Sequence, residues 1–449
     1  MLEANGLRLL VDCGLYQERE FRVRNWDPFP VSPDTIDAVL LTHAHLDHCG
    51  LLPKLAREGF KGKIYCTSAT YDIAQIILLD AAHLQEQDAE YKRRRHEREG
   101  RKGPYPEIPL YTMNDAQATF PLFSTIKYEE TIPLGEGIEA SFHDAGHVLG
   151  AAMIKLRVSK NGERRTIIFS GDVGRWDRPI IRDPVTFEEA DYILVESTYG
   201  DRLHEGKEDT EKILAEVINS TRKRGGNIVI PSFAFERAQE VLYYLNNLLL
   251  ENHIPHLLVF LDSPMATSIT EVFERHPDML DKEMNELIRR RKSPFDFTGL
   301  KITRTVDESK VINHISGTSI IIAGSGMCTG GRIKHHLVNN ISRQESTVLF
   351  VGYQAVGTLG RQIVDGSKEA RILGQMHKVL ARIVQMSGFS AHADRDELFR
   401  WLSGFRKPPL QVFVTHGEPE SVQQFARFLG EKTGWKITLP GYRDEVVLN

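Results

Sequence analysis

Residues 40–50 read LLTHAHLDHCG. An apolar run that favours a strand delivers three histidines and one aspartate within six residues, and LLPKLARE behind it reads as a helix. His43 and His45 stand two apart, so on extended chain they project to the same side. Asp47 and His48 follow where the helix should start. Packing four such groups together without a cation is costly, because buried, partly charged groups need partners. The stretch therefore calls for a strand-to-helix corner that holds a metal. Nitrogen and oxygen donors without a thiolate suit Zn²⁺, and Mn²⁺ also accepts them.

The rest of the chain supplies an α/β frame for that corner. Short apolar runs recur at 8–12, 38–42, 63–67, 166–172 and 192–196, and a long helical stretch starts near Ser68. After TYGDR (198–202) the rhythm becomes regular: a helix over 209–224 stopped by Gly225 and Gly226, then the strand NIVIP, a helix over 234–250, the strand HLLVFLD, a helix from Pro264, and the strands SIIIAG and TVLFVG. Repeated βα alternation predicts a mainly parallel sheet. At 449 residues the chain is too long for one compact core. We expect a first domain over 1–200, a second over 201–378, and a return to the first over 379–449.

Bulk properties exclude several classes. A net charge of −5 is mild and does not fit a wholly basic nucleic-acid coat protein. Four cysteines, Cys13, Cys49, Cys66 and Cys328, form no CxxC pair, which argues against a disulfide framework or a thiolate zinc site. The first residues lack a signal-peptide pattern, and no apolar run approaches membrane-spanning length. The expectation is a cytoplasmic protein with no membrane partner, and with oligomerisation left open.

Two metals need more donors than residues 43–48 provide. His147 in DAGHVLGA, Asp172 in TIIFSGDVG and His416 in QVFVTHGE each follow a strand and sit beside small residues. That is the edge at which α/β sites assemble, and a carboxylate such as Asp172 can bridge two ions.

The ordered set Asp12, HxHxDH at 43–48, His147 and Asp172 resembles the metallo-β-lactamase superfamily. ILVESTYGDR (193–202), PSFAFERAQE (231–240), LDSPMA (261–266), GSGMCTGGR (324–332), GYQAVGTLG (352–360), GFSAHADRDEL (388–398) and VTHGE (414–418) resemble its β-CASP branch. In particular they resemble the bacterial and archaeal homologues of the pre-mRNA 3′-end cleavage endonuclease. The resemblance implies an αββα metallo-β-lactamase sandwich with an inserted β-CASP domain, a mainly parallel sheet flanked by helices. It implies two Zn²⁺ per chain, with Mn²⁺ as the substitute: one held by His43, His45, His147 and Asp172, the other by Asp47, His48, Asp172 and His416. Asp12 would hold a ligand imidazole by its free N–H.

The implied activity is hydrolysis of phosphodiester bonds in single-stranded RNA, by an endonuclease or 5′–3′ exonuclease action. Two-metal hydroxide attack would be assisted by Asp47, His392 as general acid and Glu196 as its orienting carboxylate, leaving a 5′-phosphate and a 3′-hydroxyl. Ser390, Ala391, Arg237, Ser325, Arg332 and Arg361 are candidate RNA or phosphate contacts. His143, Asp144, His335 and His336 match no ligand position. The basic stretches Lys92–Lys102 and 289–292 read as solvated helix surface.

Two other readings stand beside this one. A single-stranded DNA nuclease of the same family would carry an apolar residue where this chain has His416. A non-nucleolytic metallo-hydrolase would share HxHxDH but would need neither the insertion nor His392 and Glu196. Two departures from the pattern remain: the family's first strand and glycine-rich hairpin are expected to be lacking before residue 8, and the basic segment at about 80–118 has no assigned role.

Overall fold

A computed structural model describes residues 1–18, 20–102, 107–204, 208–386 and 388–448. Residues 103–106 of the basic segment and 205–207 at the start of the expected second domain lie outside the described residues. The chain divides into two compact units: residues 1–178, 182–203 and 392–449, and residues 179–181 with 204–391.

The first unit is built on two sheets. One runs Leu2–Ala4, Leu7–Val11, Ala38–Leu40, Lys63–Thr67, Phe123–Ile126, parallel after its first pair. The other runs Ile437–Thr438, Gln411–Val414, Tyr192–Val195, Glu163–Phe169, Ala152–Lys160, Ile138–Asp144, Thr131–Gly135. Its first four strands are parallel and the remainder antiparallel. Leu9, Ala38, Leu40 and Ile126 of one sheet share a core with Phe142, Ile154, Leu156, Ile167, Tyr192 and Phe413 of the other. Sheet faces with apolar residues on alternate positions bury them against one another. Helix Ser68–Glu99 packs outside the first sheet and helix Pro419–Thr433 outside the second, giving four layers, αββα.

Helix Ser68–Glu99 starts at Thr67, whose hydroxyl accepts from Thr70 N (3.2 Å), and stops at Gly100 with φ +61°. Its first half is buried through Ile73, Ala74, Ile77, Leu78, Ala81 and Ala82. Its basic end is a solvated face of ion pairs four residues apart, Lys92 with Asp88, Arg94 with Glu90 and Arg95 with Glu99. Among the described residues no helix is long and apolar enough to cross a membrane. At the amino end, where a missing hairpin was expected, Leu2–Ala4 and Leu7–Val11 pair antiparallel about Asn5 and Gly6, both at positive φ.

The second unit holds a six-stranded parallel sheet in the order Leu300–Ile302, Leu258–Asp262, Ser319–Ala323, Ile228–Pro231, Thr347–Val351, Arg382–Met386. Its three inner strands 228–231, 319–323 and 347–351 are buried at every position, as sheets covered by helices on both faces are. The expected return to the first domain at 379 is corrected: strand Arg382–Met386 pairs in parallel with Thr347–Val351, so the second unit extends to residue 391. From sequence that strand looks like any other apolar run, and only its pairing decides which sheet owns it.

Candidate metal centre

All residues of the centre lie in the first unit. It begins where Leu7–Val11 and Ala38–Leu40 end side by side. Asp12, at φ +58°, donates its N–H to Leu40 O (3.0 Å). Its carboxylate accepts from Thr42 N and Thr42 Oγ1, both at 2.8 Å, and lies 2.7 Å from His48 Nδ1. With Nδ1 engaged, the His48 ring presents Nε2 to the remaining donors. Gly14 permits this closeness, since a Cβ there would stand 1.5 Å from Asp47 O.

Two donor clusters meet at Asp172. His43 Nε2 lies 3.4 Å and His147 Nε2 3.5 Å from Asp172 Oδ2, and His45 Nδ1 lies 2.9 Å from His43 Nε2. On the other side His48 Nε2 is 3.4 Å and His416 Nδ1 3.5 Å from Asp172 Oδ1. Asp47 Oδ2 is 3.6 Å from His416 Nε2. The close approach of the loops carrying His147 and Asp172 requires Gly174, where a Cβ would meet Gly146 O at 1.6 Å.

Three neighbouring strands of the second sheet deliver the remaining groups. Glu163–Phe169, Tyr192–Val195 and Gln411–Val414 run parallel, and just past their ends come Asp172, Glu196 and His416. Ser197 N donates to His416 O (2.9 Å), which ties two of those ends together. Glu196 accepts from Val173 N at 2.7 Å and Thr198 N at 3.1 Å, and its Oε1 is 3.2 Å from His392 Nδ1. The His392 ring lies against those of His147 and Tyr199, with centroids 4.5 and 6.0 Å away.

Burial separates the histidines by charge state. Desolvation pushes His43 well below its usual range and takes His45 down to about 4, so both are neutral with a lone pair to give. Desolvation opposes protonation of His48 too, but Asp172 and Asp12 raise it; against the same opposition Glu196 and Asp172 raise His392, and Asp172 and Asp47 raise His416 to about 9.

The donor set fits a metal. His48 Nε2 and Asp172 Oδ1 are buried without a hydrogen-bond partner among the described residues, although they face each other. Orphaned lone pairs of this kind are costly unless a cation takes them. His43, His45, His147 and Asp172 form one group and Asp47, His48 and His416 another, each with its donor atoms within 4.8 Å of one another. Five imidazoles, two carboxylates and no thiolate suit Zn²⁺ or Mn²⁺.

Residues 42 and 198 escaped the sequence reading. Thr42 Oγ1 links Asp12 to His43 Nδ1 (3.1 Å), and Thr198 Oγ1 lies 3.2 Å from His416 Nδ1. Their only sequence signal is adjacency to a site residue. His143 stands apart, 2.9 Å from Ser141 Oγ and edge-on to Phe187.

The remaining candidates belong to the second unit. Ser390 is buried and Ala391 half-buried. Arg237 is buried, paired with Glu240 and set over the Phe389 ring. Arg332 is committed inward, to Asp262 Oδ1 at 2.7 Å and Arg304 O at 2.8 Å, so it braces its turn instead of facing outward as a phosphate contact would. Arg361 pairs with Asp365 one helical turn on, and Ser325 Oγ bonds within its own turn.

Comparison with known proteins agrees with this geometry. The profile of the metallo-beta-lactamase superfamily domain matches residues 1–173, that of the Beta-Casp domain 238–363, and that of the Zn-dependent metallo-hydrolase RNA specificity domain 376–440. Ribonuclease TTHA0252 of Thermus thermophilus is 36% identical over 99% of this chain and 96% of its own length. Transcription termination factors FttA of Methanosarcina mazei and Methanocaldococcus jannaschii are 31% and 30% identical over 96% and 93% of this chain. The chain spans 66% and 64% of those two longer proteins. The chain therefore belongs to the β-CASP ribonuclease family of the metallo-β-lactamase superfamily, a family of hydrolytic nucleases.

Proposed function

We propose that this protein hydrolyses phosphodiester bonds of single-stranded RNA with two divalent ions, Zn²⁺ in the first place. One ion would be held by His43, His45, His147 and Asp172, the other by Asp47, His48, Asp172 and His416. The observation that carries the reading is the division of the Asp172 carboxylate, one oxygen toward each histidine cluster. When bound, such ions lower the pKa of water and neutralise charge on a phosphate.

The chain's own groups do the rest. Asp12 fixes the His48 ring so that Nε2 is its donor atom. Glu196, itself held by two backbone N–H groups, engages His392 Nδ1 and favours the protonated ring. His392 Nε2–H is then available to protonate the departing sugar oxygen, leaving a 3′-hydroxyl and a 5′-phosphate. His416 supports RNA over DNA as substrate, and the relatives' names, a ribonuclease and transcription termination factors, point the same way.

The test offers purified protein labelled single-stranded RNA, single-stranded DNA and the lactam nitrocefin, before and after chelation and with Zn²⁺ or Mn²⁺ restored. RNA cleavage that chelation abolishes and Zn²⁺ restores is expected. An RNA-inert protein with two bound metals would sink the reading.

A further inference from the structure

Phe233 follows strand Ile228–Pro231 at the carboxyl edge of the parallel sheet, the edge at which α/β sheets bind ligands. Its side chain is 43% exposed, although the residue before it is buried. One face of the ring is seated on backbone: a Cβ on Gly326 would lie 2.6, 2.7 and 3.0 Å from Cδ2, Cε2 and Cγ of the ring. Any side chain at 326 would displace it.

Both partners are pinned. Ser232 N donates to Ala323 O (3.0 Å), and Gln239 Nε2 to Ala234 O (3.2 Å), so the residues flanking Phe233 are fixed to the sheet and to helix Arg237–Leu250. Buried Gln354 donates to Gly326 O (3.1 Å), and Gly360 N to Met327 O (3.1 Å). At its far end the turn 324–332 is anchored by Arg332 on the fully buried Asp262. The turn also offers Ser325 Oγ and the exposed Thr329, and the neighbouring turn carries Val356, 79% exposed. An isolated exposed phenylalanine needs no explanation. A ring held flat on a glycine, on doubly anchored loops and edged by hydroxyls, is a preorganised surface for a planar group.

We infer that Phe233 is a stacking platform for one nucleobase of a bound single strand, with Gly326 as the seat that fixes the ring. The inference rests on the ribonuclease reading for its substrate. Stacking on an aromatic face is tolerant of sequence, so the platform adds affinity without choosing a base.

The experiment measures KM and kcat of full-length, Zn²⁺-loaded protein on a fluorescent single-stranded RNA. Phe233→Ala is expected to raise KM about tenfold with kcat and metal content unchanged, and Phe233→Trp to keep KM at or below wild type. A single abasic nucleotide walked along the RNA should raise the wild-type KM at one position and have no such effect on Phe233→Ala. An active wild type whose KM is untouched by Phe233→Ala, or whose Phe233→Leu variant behaves as wild type, overturns the platform alone. A wild type inert on RNA overturns the ribonuclease reading and the platform with it.

Discussion

His392 Nδ1 lies 3.2 Å from Glu196 Oε1, and Glu196 is itself gripped by the N–H groups of Val173 and Thr198. A carboxylate with two backbone donors cannot turn away, so it holds the imidazole in one orientation. In this arrangement His392 is set beside the donor clusters without belonging to either of them.

The first prediction separates those roles. His392→Ala should keep both metals by elemental analysis and lose RNA cleavage by roughly 10²–10⁴-fold, the usual contribution of a positioned proton donor. Loss of a metal in that variant would mean that a ligand had been mistaken for an acid.

His416 is the opposite case. Its ring reaches Asp47 Oδ2 at 3.6 Å and Asp172 Oδ1 at 3.5 Å. His416→Ala should therefore lower metal content from two ions per chain to about one, read by elemental analysis after desalting. Full occupancy of both sites would contradict the assignment.

How far each of these was readable depended on distance along the chain. His43 to His48 declare themselves because they crowd one strand end, and strand pairing adds nothing needed to see them. His416 is different: alone it is a histidine after an apolar run. Its meaning comes from the parallel pairing of Val195 with Val414, which sets it beside Glu196 and Asp172. Only the order of motifs could hint at that. Arg332 misled because a basic residue in a glycine-rich turn looks outward from sequence. Its partner Asp262 lies far off along the chain and meets it only through the sheet. Likewise the ownership of strand Arg382–Met386 was invisible until its neighbour was known.

Asp262 gives a stability prediction for the second unit. It is fully buried and bonded by Arg332 Nη1 (2.7 Å), Ser309 Oγ (2.6 Å), His336 Nε2 (2.5 Å) and Thr303. Burial opposes its ionisation, but His336 and the other donors hold it well below the usual carboxylate range. Asp262→Ala strips a buried pair of one member and should cost about 3–5 kcal/mol in guanidinium unfolding. An effect below about 1 kcal/mol, the worth of a surface pair, would mean that the cluster contributes little.

Gly174 tests the packing beneath the metals. A Cβ there would meet Gly146 O at 1.6 Å, between the loops that carry His147 and Asp172. Gly174→Ala must push those loops apart, and a displacement of this size disturbs ligand geometry more than it disturbs the core. The expected result is weaker metal binding in a chelator titration with near-normal far-UV circular dichroism. Unchanged metal affinity would show that the loops yield elsewhere.

Asp144 supplies a dependence on pH. It ends strand Ile138–Asp144, is 6% exposed, and donates nothing to the metal groups; its Oδ1 accepts from Gly146 N, and Arg182 stands 4.0 Å from Oδ2. Burial raises its carboxyl to about 7, against the pull of Gly146 N and Arg182. The unfolded chain releases that proton near pH 4, while the folded protein keeps it until about pH 7. Across this window the native state binds more protons than the unfolded state, so stability falls as pH rises and levels off above it. Asp144→Asn cannot ionise and removes the slope. The variant should melt a few degrees above wild type at pH 8, with the gap shrinking toward pH 4 in thermal unfolding scans. A gap that widens on acidification would mean that Asp144 is ionised and stabilised in the fold, with Arg182 outweighing the cost of burial.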